Sequence, residues 1–281
     1  MTDFLRQHTI QIFDSSTSSL KDDSFSHFAI GDALLRMVNQ PQKPAFLHFW
    51  PIDRMAILGM MDTKLPYLTD GIAHLEEQGY EVRVRPAGGL AVIADPGILN
   101  FSLIFAENDD EKISIDEGYE IMVGLIRKTF ASFGKEIEAY EIVDSYCPGK
   151  FDLSIDGKKF AGIAQRRFKQ GIGVMIYLSV EGDQHHRGAL LRDFYQKGLR
   201  GEKTKWDFPA VNPDSMANLS NLLEVPLTIQ QVKERLLSAM KEMNFSLVEG
   251  VYTEDLMAEY KQAHEKLQKR NQQIMEKTTR E

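Results

Sequence analysis

The chain has 281 residues, with 33 Lys+Arg against 41 Asp+Glu and a formal net charge of −8. A hydrophobic fraction of 43% and a charged fraction of 26% are those of an ordinary globular protein, able to bury a core without disulfide or metal staples. The acidic total excludes a dedicated nucleic-acid binder. The single cysteine excludes an internal disulfide, and no apolar stretch reaches the roughly 18 residues of a membrane span. With no leader-like N-terminus, a protein of the reducing cytoplasm is expected, without nucleic-acid or membrane partners.

Residues 1–23 read as extended and polar. Ile30, Ala33, Leu34, Met37 and Val38 then fall on one helical face. Two short β-prone runs, Phe46 to Trp50 and Met55 to Leu58, are separated by Pro51 and Asp53 and read as a tight strand connection. Leu65 to Gly79 reads as helix, with Gly79 at the C-cap. Short strands follow, through Val82 and Val84, Leu90 to Ile93 and Leu99 to Ile104. Residues 107–117 carry six acids and one lysine, leading into a helix through Tyr119, Met122, Val123, Ile126 and Phe130.

A second β-rich block spans Ile137 to Val180, where Asp156-Gly157 is the dipeptide of a tight hairpin turn. Leu190 to Leu199 and Ile229 to Met240 read as helices, and Leu256, Ala263, Leu267 and Ile274 form a stripe on a last one. Neighbouring strands interleaved with helices, without strict alternation, suggest an α+β fold with mixed or antiparallel sheets flanked by helices.

Cys147, in Asp144-Ser145-Tyr146-Cys147-Pro148-Gly149, is the first candidate for chemistry. A lone cysteine is by default an inert small hydrophobe. Here Pro-Gly places the thiol in a loop. Lys158 and Lys159 follow on the next strand, in a segment (150–170) with six basic and two acidic residues. That charge reversal reads either as a positive field beside a nucleophile or as a strand edge protected by lysines. Arg85-Pro86-Ala87-Gly88-Gly89 lacks the residues of a phosphate-binding loop and reads either as a plain turn or as backbone brought close to a ligand. Asn100, in an apolar strand, needs a hydrogen-bond partner if buried and is either a core amide or a ligand contact. His185 and His186 are adjacent and complete no ligand pattern, so no metal is expected.

Arg85-x-x-Gly88-Gly89, then Leu99-Asn100, then Gly157-Lys158-Lys159-Phe160-Ala161-Gly162-Ile163-Ala164-Gln165-Arg166 resemble, in order and spacing, the biotin/lipoate attachment (lipoate-protein ligase A/B-like) family. The resemblance runs from about residue 25 to 240. It implies a catalytic domain over 1–240 and a C-terminal helical extension over 241–281.

Within the family, a cysteine before the lysine hairpin is similar to the branch that moves octanoyl from the glycine-cleavage H protein to apo lipoyl domains of 2-oxoacid dehydrogenases, without ATP or another cofactor. Pro86, Leu90 and Ala94 depart from the pattern of the adenylate-forming ligases. The resemblance implies Cys147 as nucleophile and Lys159 as the residue that polarises the acyl carbonyl and holds the thiolate. Arg85, Gly88, Gly89, Asn100, Gly162 and Gln165 would bind substrate, and Val92, Leu103, Ile163 and Met175 would line an acyl tunnel. A positive field from Lys158, Lys159, Arg166 and Arg167 would attract acidic lipoyl domains. The rival readings are transfer from octanoyl-[acyl carrier protein] to the H protein, an ATP-dependent lipoate ligase, and a non-catalytic lipoyl-domain binder.

Overall fold

The computed structural model describes residues 8–18, 20, 23–40, 43–85, 88–107 and 112–278. Its strands are β1 (Thr9–Asp14), β2 (Ala45–Phe49), β3 (Met55–Leu58), β4 (Glu81–Val84), β5 (Val92–Ala94), β6 (Ile98–Ala106), β7 (Glu138–Ala139), β8 (Leu153–Ile155), β9 (Lys158–Phe168), β10 (Gly171–Ser179) and β11 (Ser246–Glu249). The helices are α1 (Ser26–Met37), α2 (Leu68–Glu77), α3 (Ile115–Phe130), α4 (Gln184–Leu199), α5 (Leu219–Leu222), α6 (Ile229–Glu242) and α7 (Glu254–Thr278). The fold is α+β, as its pattern suggests.

Eight strands form one mixed sheet in the order β11-β1-β2-β6-β10-β9-β8-β7, and β4-β3-β5 form a second. The expected connection between β2 and β3 is not a hairpin. β2 pairs with β1 and β6, whereas β3 pairs with β4 and β5 in the other sheet. Both strands are buried along their whole length, so no polar face marked which partner either would take. The Asp156-Gly157 turn does join β8 to β9, with φ of 51° and 73° at its two residues.

Local chemistry sets the helix ends. Leu65 stays extended because it precedes Pro66, so α2 begins later than its apolar pattern. α3 opens on a capping box between Ser114 and Glu117, worth about 1 kcal/mol. α4 begins six residues before its predicted start, where Asp183 accepts from the His186 amide and the buried Arg187 hides the periodicity.

β6 divides its residues between two cores. Leu99, Phe101, Leu103 and Phe105 join the cluster beneath α3 and α6. Asn100, Ser102 and Ile104 face the side covered by α1 and line a cavity there. The last segment completes this arrangement. β11 adds to the edge of β1, and α7 lies along α1 through Leu256, Tyr260, Ala263 and Leu267. Asn271 of α7 then accepts from the Val84 amide at 2.8 Å and donates to its carbonyl at 2.9 Å, completing the edge of β4 one residue before Arg85.

Two histidines are enclosed under α1. His48 Nε2 is 2.8 Å from Ser15 Oγ, while its Nδ1 and that of His27 have no partner among the described residues. Burial pushes His27 down to about 4 and His48 to about 3. A histidine with a lowered folded-state pKa takes up its proton only on unfolding. The stability these residues contribute is therefore present above pH 6.5 and lost as the pH falls toward 4. We expect Tm to fall between pH 7 and 5, and His48→Gln to flatten that slope; an unchanged slope in thermal melts would show that His48 does not cause it.

Candidate active site

A buried ammonium shapes the cysteine loop. Lys159 Nζ donates to Ser145 Oγ at 3.0 Å, Tyr146 O at 2.9 Å and Cys147 O at 3.0 Å. It also lies 3.0 Å from Asp152 Oδ1, with both side chains almost fully buried. Asp152 Oδ2 accepts the Gly149 and Ile142 amides, so residues 142–152 wrap around the pair. Burial pushes the Asp152 carboxyl up, and the ammonium and the two amides pull it back only part of the way. At the apex Cys147 adopts φ 47°, a left-handed conformation costly for a residue with a Cβ.

Tyr146 anchors the loop from below. Tyr177 donates to Ile93 O at 2.7 Å, so the proton between the Tyr146 and Tyr177 hydroxyls, 2.7 Å apart, belongs to Tyr146, which also accepts from Gln184.

The sulfur is reached from the smaller sheet. Leu90 N–H points at Cys147 Sγ from 3.3 Å, and Arg85 Nη2 lies 3.6 Å away while bonding Leu90 O at 2.8 Å and Gly88 O at 3.2 Å. Both groups are hydrogen-bond donors aimed at the sulfur. The amide facing Sγ is thus that of Leu90, not of Gly88 or Gly89, and the guanidinium beside Sγ is that of Arg85, while Lys159 holds the Cys147 carbonyl. Gly89, at φ 88°, makes this possible: a Cβ there would sit 2.7 Å from Arg85 Nη2 and 3.2 Å from Sγ. Pro86 and Ala87 lie outside the described residues.

Three residues missed at the sequence level support the loop. A Cβ on Gly59 would lie 1.9 Å from Gly89 O, so only glycine allows that approach. Asp62 accepts the Gly59 amide at 2.7 Å and the Tyr195 hydroxyl at 2.9 Å, and Tyr195 accepts the Ala91 amide. Burial pushes Asp62 up to about 6. Asp152 lies between the cysteine loop and the lysine hairpin, and its sequence neighbours did not mark it as the partner of Lys159. Nothing in the local sequence marked Asp62 or Tyr195, which are 133 residues apart.

Cys147 opens onto a cavity of about 330 Å³ between α1 and the sheet, whose lining includes Phe28, Val92, Ile163, Met175, Gly162 and Asn100. Leu103 does not line it, because that residue faces the other core. Asn100 is 1% exposed, and neither its amide nitrogen nor its oxygen has a partner among the described residues. An unpaired buried amide is costly, so the position is suited to contact with an occupant. Gly162 supports Lys159, its Cβ position lying 3.7 Å from Cε. Gln165 borders the cavity but is engaged elsewhere, donating to Ile115 O and accepting from Arg167.

The basic segment is unevenly paired. Arg166 lies 2.8 Å from Asp32, Arg167 lies 3.7 Å from Glu107, and Lys159 is buried against Asp152, whereas the exposed Lys158 bonds the neutral carbonyl of Asp214 and keeps its charge. Among the described residues no group of three or more His, Cys, Asp or Glu could hold a metal ion, and no helix is long and apolar enough to cross a membrane.

The lipoyl protein ligase A/B catalytic domain matches residues 23–241. Over 247 residues the chain is 46% identical to the octanoyl-[GcvH]:protein N-octanoyltransferase of Macrococcus caseolyticus, covering 88% of this chain and 89% of that one. Over 271 residues it is 40% identical to the lipoyl-[GcvH]:protein N-lipoyltransferase of Listeria monocytogenes, covering 96% and 97%. Among solved structures, lipoate-protein ligase A bound with ATP superposes with a TM-score of 0.69 over 92% of this chain and 94% of that one. At 20% identity, this likeness establishes the fold.

Two substitutions test the geometry. Arg85→Gln should slow alkylation of Cys147 by iodoacetamide at pH 7 about tenfold; equal rates would remove Arg85 as a support of the thiolate. Asp152→Asn leaves the Lys159 ammonium buried without its counter-ion, which should cost about 3–5 kcal/mol and lower Tm by roughly 10 °C. A melting temperature equal to wild type would mean that the pair does not hold the loop.

Proposed function

Because the chain belongs to the lipoyl protein ligase A/B catalytic domain family, we propose that it transfers an octanoyl group from the lysine of the glycine-cleavage H protein to the lysine of apo lipoyl domains, through a thioester on Cys147. The observation that carries this reading is a cysteine sulfur held by an amide and a guanidinium at the mouth of an apolar cavity. The name of the Macrococcus relative supports the H protein as donor. Burying an eight-carbon tail contributes several kcal/mol, at roughly 0.8 kcal/mol per methylene.

The thiolate attacks the carbonyl carbon of the octanoyl amide, and the Leu90 amide and Arg85 hold the negative charge until it moves onto the acyl oxygen. The C–N bond then breaks. A departing amine needs a proton, and the Lys159 ammonium supplies it by exchanging its bond to the Cys147 carbonyl for one to the amine. The acceptor lysine next attacks the thioester carbonyl and gives its proton back to Lys159 as sulfur leaves. One amide is exchanged for an equivalent one, so no nucleotide is consumed. The reaction belongs in the reducing cytoplasm, where Cys147 stays a thiol.

Lipoyl is the second acyl group to be considered, since the Listeria relative named for lipoyl transfer spans nearly the whole chain. It has the same eight-carbon backbone.

The test is intact mass of the purified protein after incubation with octanoylated H protein without ATP, then after addition of an apo lipoyl domain. We expect an octanoyl adduct on Cys147 that hydroxylamine removes and the domain accepts. Cys147→Ser should lower transfer by at least about 10³-fold. An adduct formed only from octanoyl-acyl carrier protein, or only from lipoylated H protein, would reassign the donor or the acyl group. Dependence on ATP and free lipoate would replace the transferase with a ligase, and no adduct from any of these would leave a binding protein.

A further inference from the structure

α1 lies over the large sheet as a wedge. At its C-terminal end it touches the start of β10, where a Cβ on Gly171 would lie 2.7 Å from Leu35 O. Asn39 laces the two together, donating to Leu35 O at 2.9 Å and accepting the Gln170 and Gly171 amides at 2.9 and 3.1 Å. At its N-terminal end the helix is held off by the Phe28 ring, packed against Trp50 with centroids 5.9 Å apart. The cavity fills the gap. Its lining runs from Cys147 to Leu35, Ile104 and Gly173, which lie against one another.

Two glycines in its wall are not required by the protein's own packing. Gly31 lies in mid-helix, where glycine is disfavoured, yet an added Cβ would meet nothing nearer than His48 Nδ1 at 3.9 Å. Gly173 lies in a strand interior, and a Cβ there would make ordinary contacts, 3.6 Å from Leu35 Cδ1 and 3.8 Å from Ile104 Cγ1. Neither residue has a positive φ. The volume they leave open belongs to an occupant.

The depth of the wedge matches one chain length. Gly162, on which Lys159 rests, pairs with Tyr177, four residues along β10 from Gly173. Four residues span about 13 Å at roughly 3.3 Å each. Contact with the far end takes about 4 Å. The remaining 9 Å or so is the extended length of an eight-carbon chain with C–C bonds near 1.5 Å.

We infer that Leu35, Ile104 and Gly173 form the stop against which the tail of the acyl chain ends, and that they set its length at eight carbons. This inference rests on the transferase reading above. It assigns a specificity role to three residues that touch the far end of the chain and take no part in bond exchange.

The test mixes equal amounts of H protein carrying hexanoyl, octanoyl or decanoyl on its lysine and compares the Cys147 adducts by intact mass. Wild-type protein should favour octanoyl over decanoyl about tenfold or more, the discrimination that closed apolar pockets reach for one or two methylenes. Gly173→Ala, whose Cβ has room, should shift the hexanoyl-to-octanoyl ratio toward hexanoyl about fivefold or more. Ile104→Val should raise decanoyl relative to octanoyl by a similar factor. An octanoyl adduct in wild type with ratios unchanged in both folded variants, or equal adducts from all three donors, would overturn the stop and leave the transferase standing. No adduct from any donor would overturn the transferase, and the stop with it.

Discussion

An ammonium group removed from water must be surrounded by oxygen, and the site is built around that requirement at Lys159. Four oxygens meet its nitrogen, from Ser145, Tyr146, Cys147 and Asp152. Two of them are backbone carbonyls of consecutive residues, so satisfying the charge also dictates the path of the chain through Cys147. The left-handed backbone at the cysteine is one result. The cost of that conformation is carried by a network in which Asp152 in turn ties down the amides of Gly149 and Ile142.

The large sheet supplies the cysteine, and the small sheet supplies the two donors that face its sulfur. Within the small sheet, Gly59 lets the Gly89 carbonyl come close, and the buried Asp62 and Tyr195 hold the amides of Gly59 and Ala91 in place. Asn271, from the far end of the chain, pins the strand that carries Arg85. The C-terminal segment therefore connects the roof of the cavity to the cation beside the sulfur. The cavity between is mostly hydrocarbon, with Asn100 as a polar group left unpaired among the described residues.

Where the chemistry is local, it was legible. The Asp156-Gly157 turn, the apolar face of α1 and the acids at the start of α3 each depend on residues a few positions apart, and each stands where the pattern put it. The glycines at 88 and 89, the asparagine at 100 and the lysine at 159 drew notice because each is unusual for its immediate surroundings. Their partners did not. Asp152 looked like any acid before a strand, and Tyr195 like a residue on the apolar face of a helix. The basic stretch from 150 to 170 was legible as charge but not as pairing, because Asp32 and Glu107, the carboxylates beside Arg166 and Arg167, are remote in sequence.

The sequence by itself determined the class of fold, most of the elements and the family resemblance, and it singled out Cys147 and Lys159 as candidates, since these follow from periodicity, turn residues and short motifs. Only the tertiary structure decided that β2 and β3 enter different sheets, because two wholly buried strands carry no mark of their partners. It also decided that Leu90 and Arg85, rather than Lys159, face the sulfur, and that the cavity lining runs to Leu35, Ile104 and Gly173. Those are distances between segments brought together by packing, and no spacing along one chain encodes them directly.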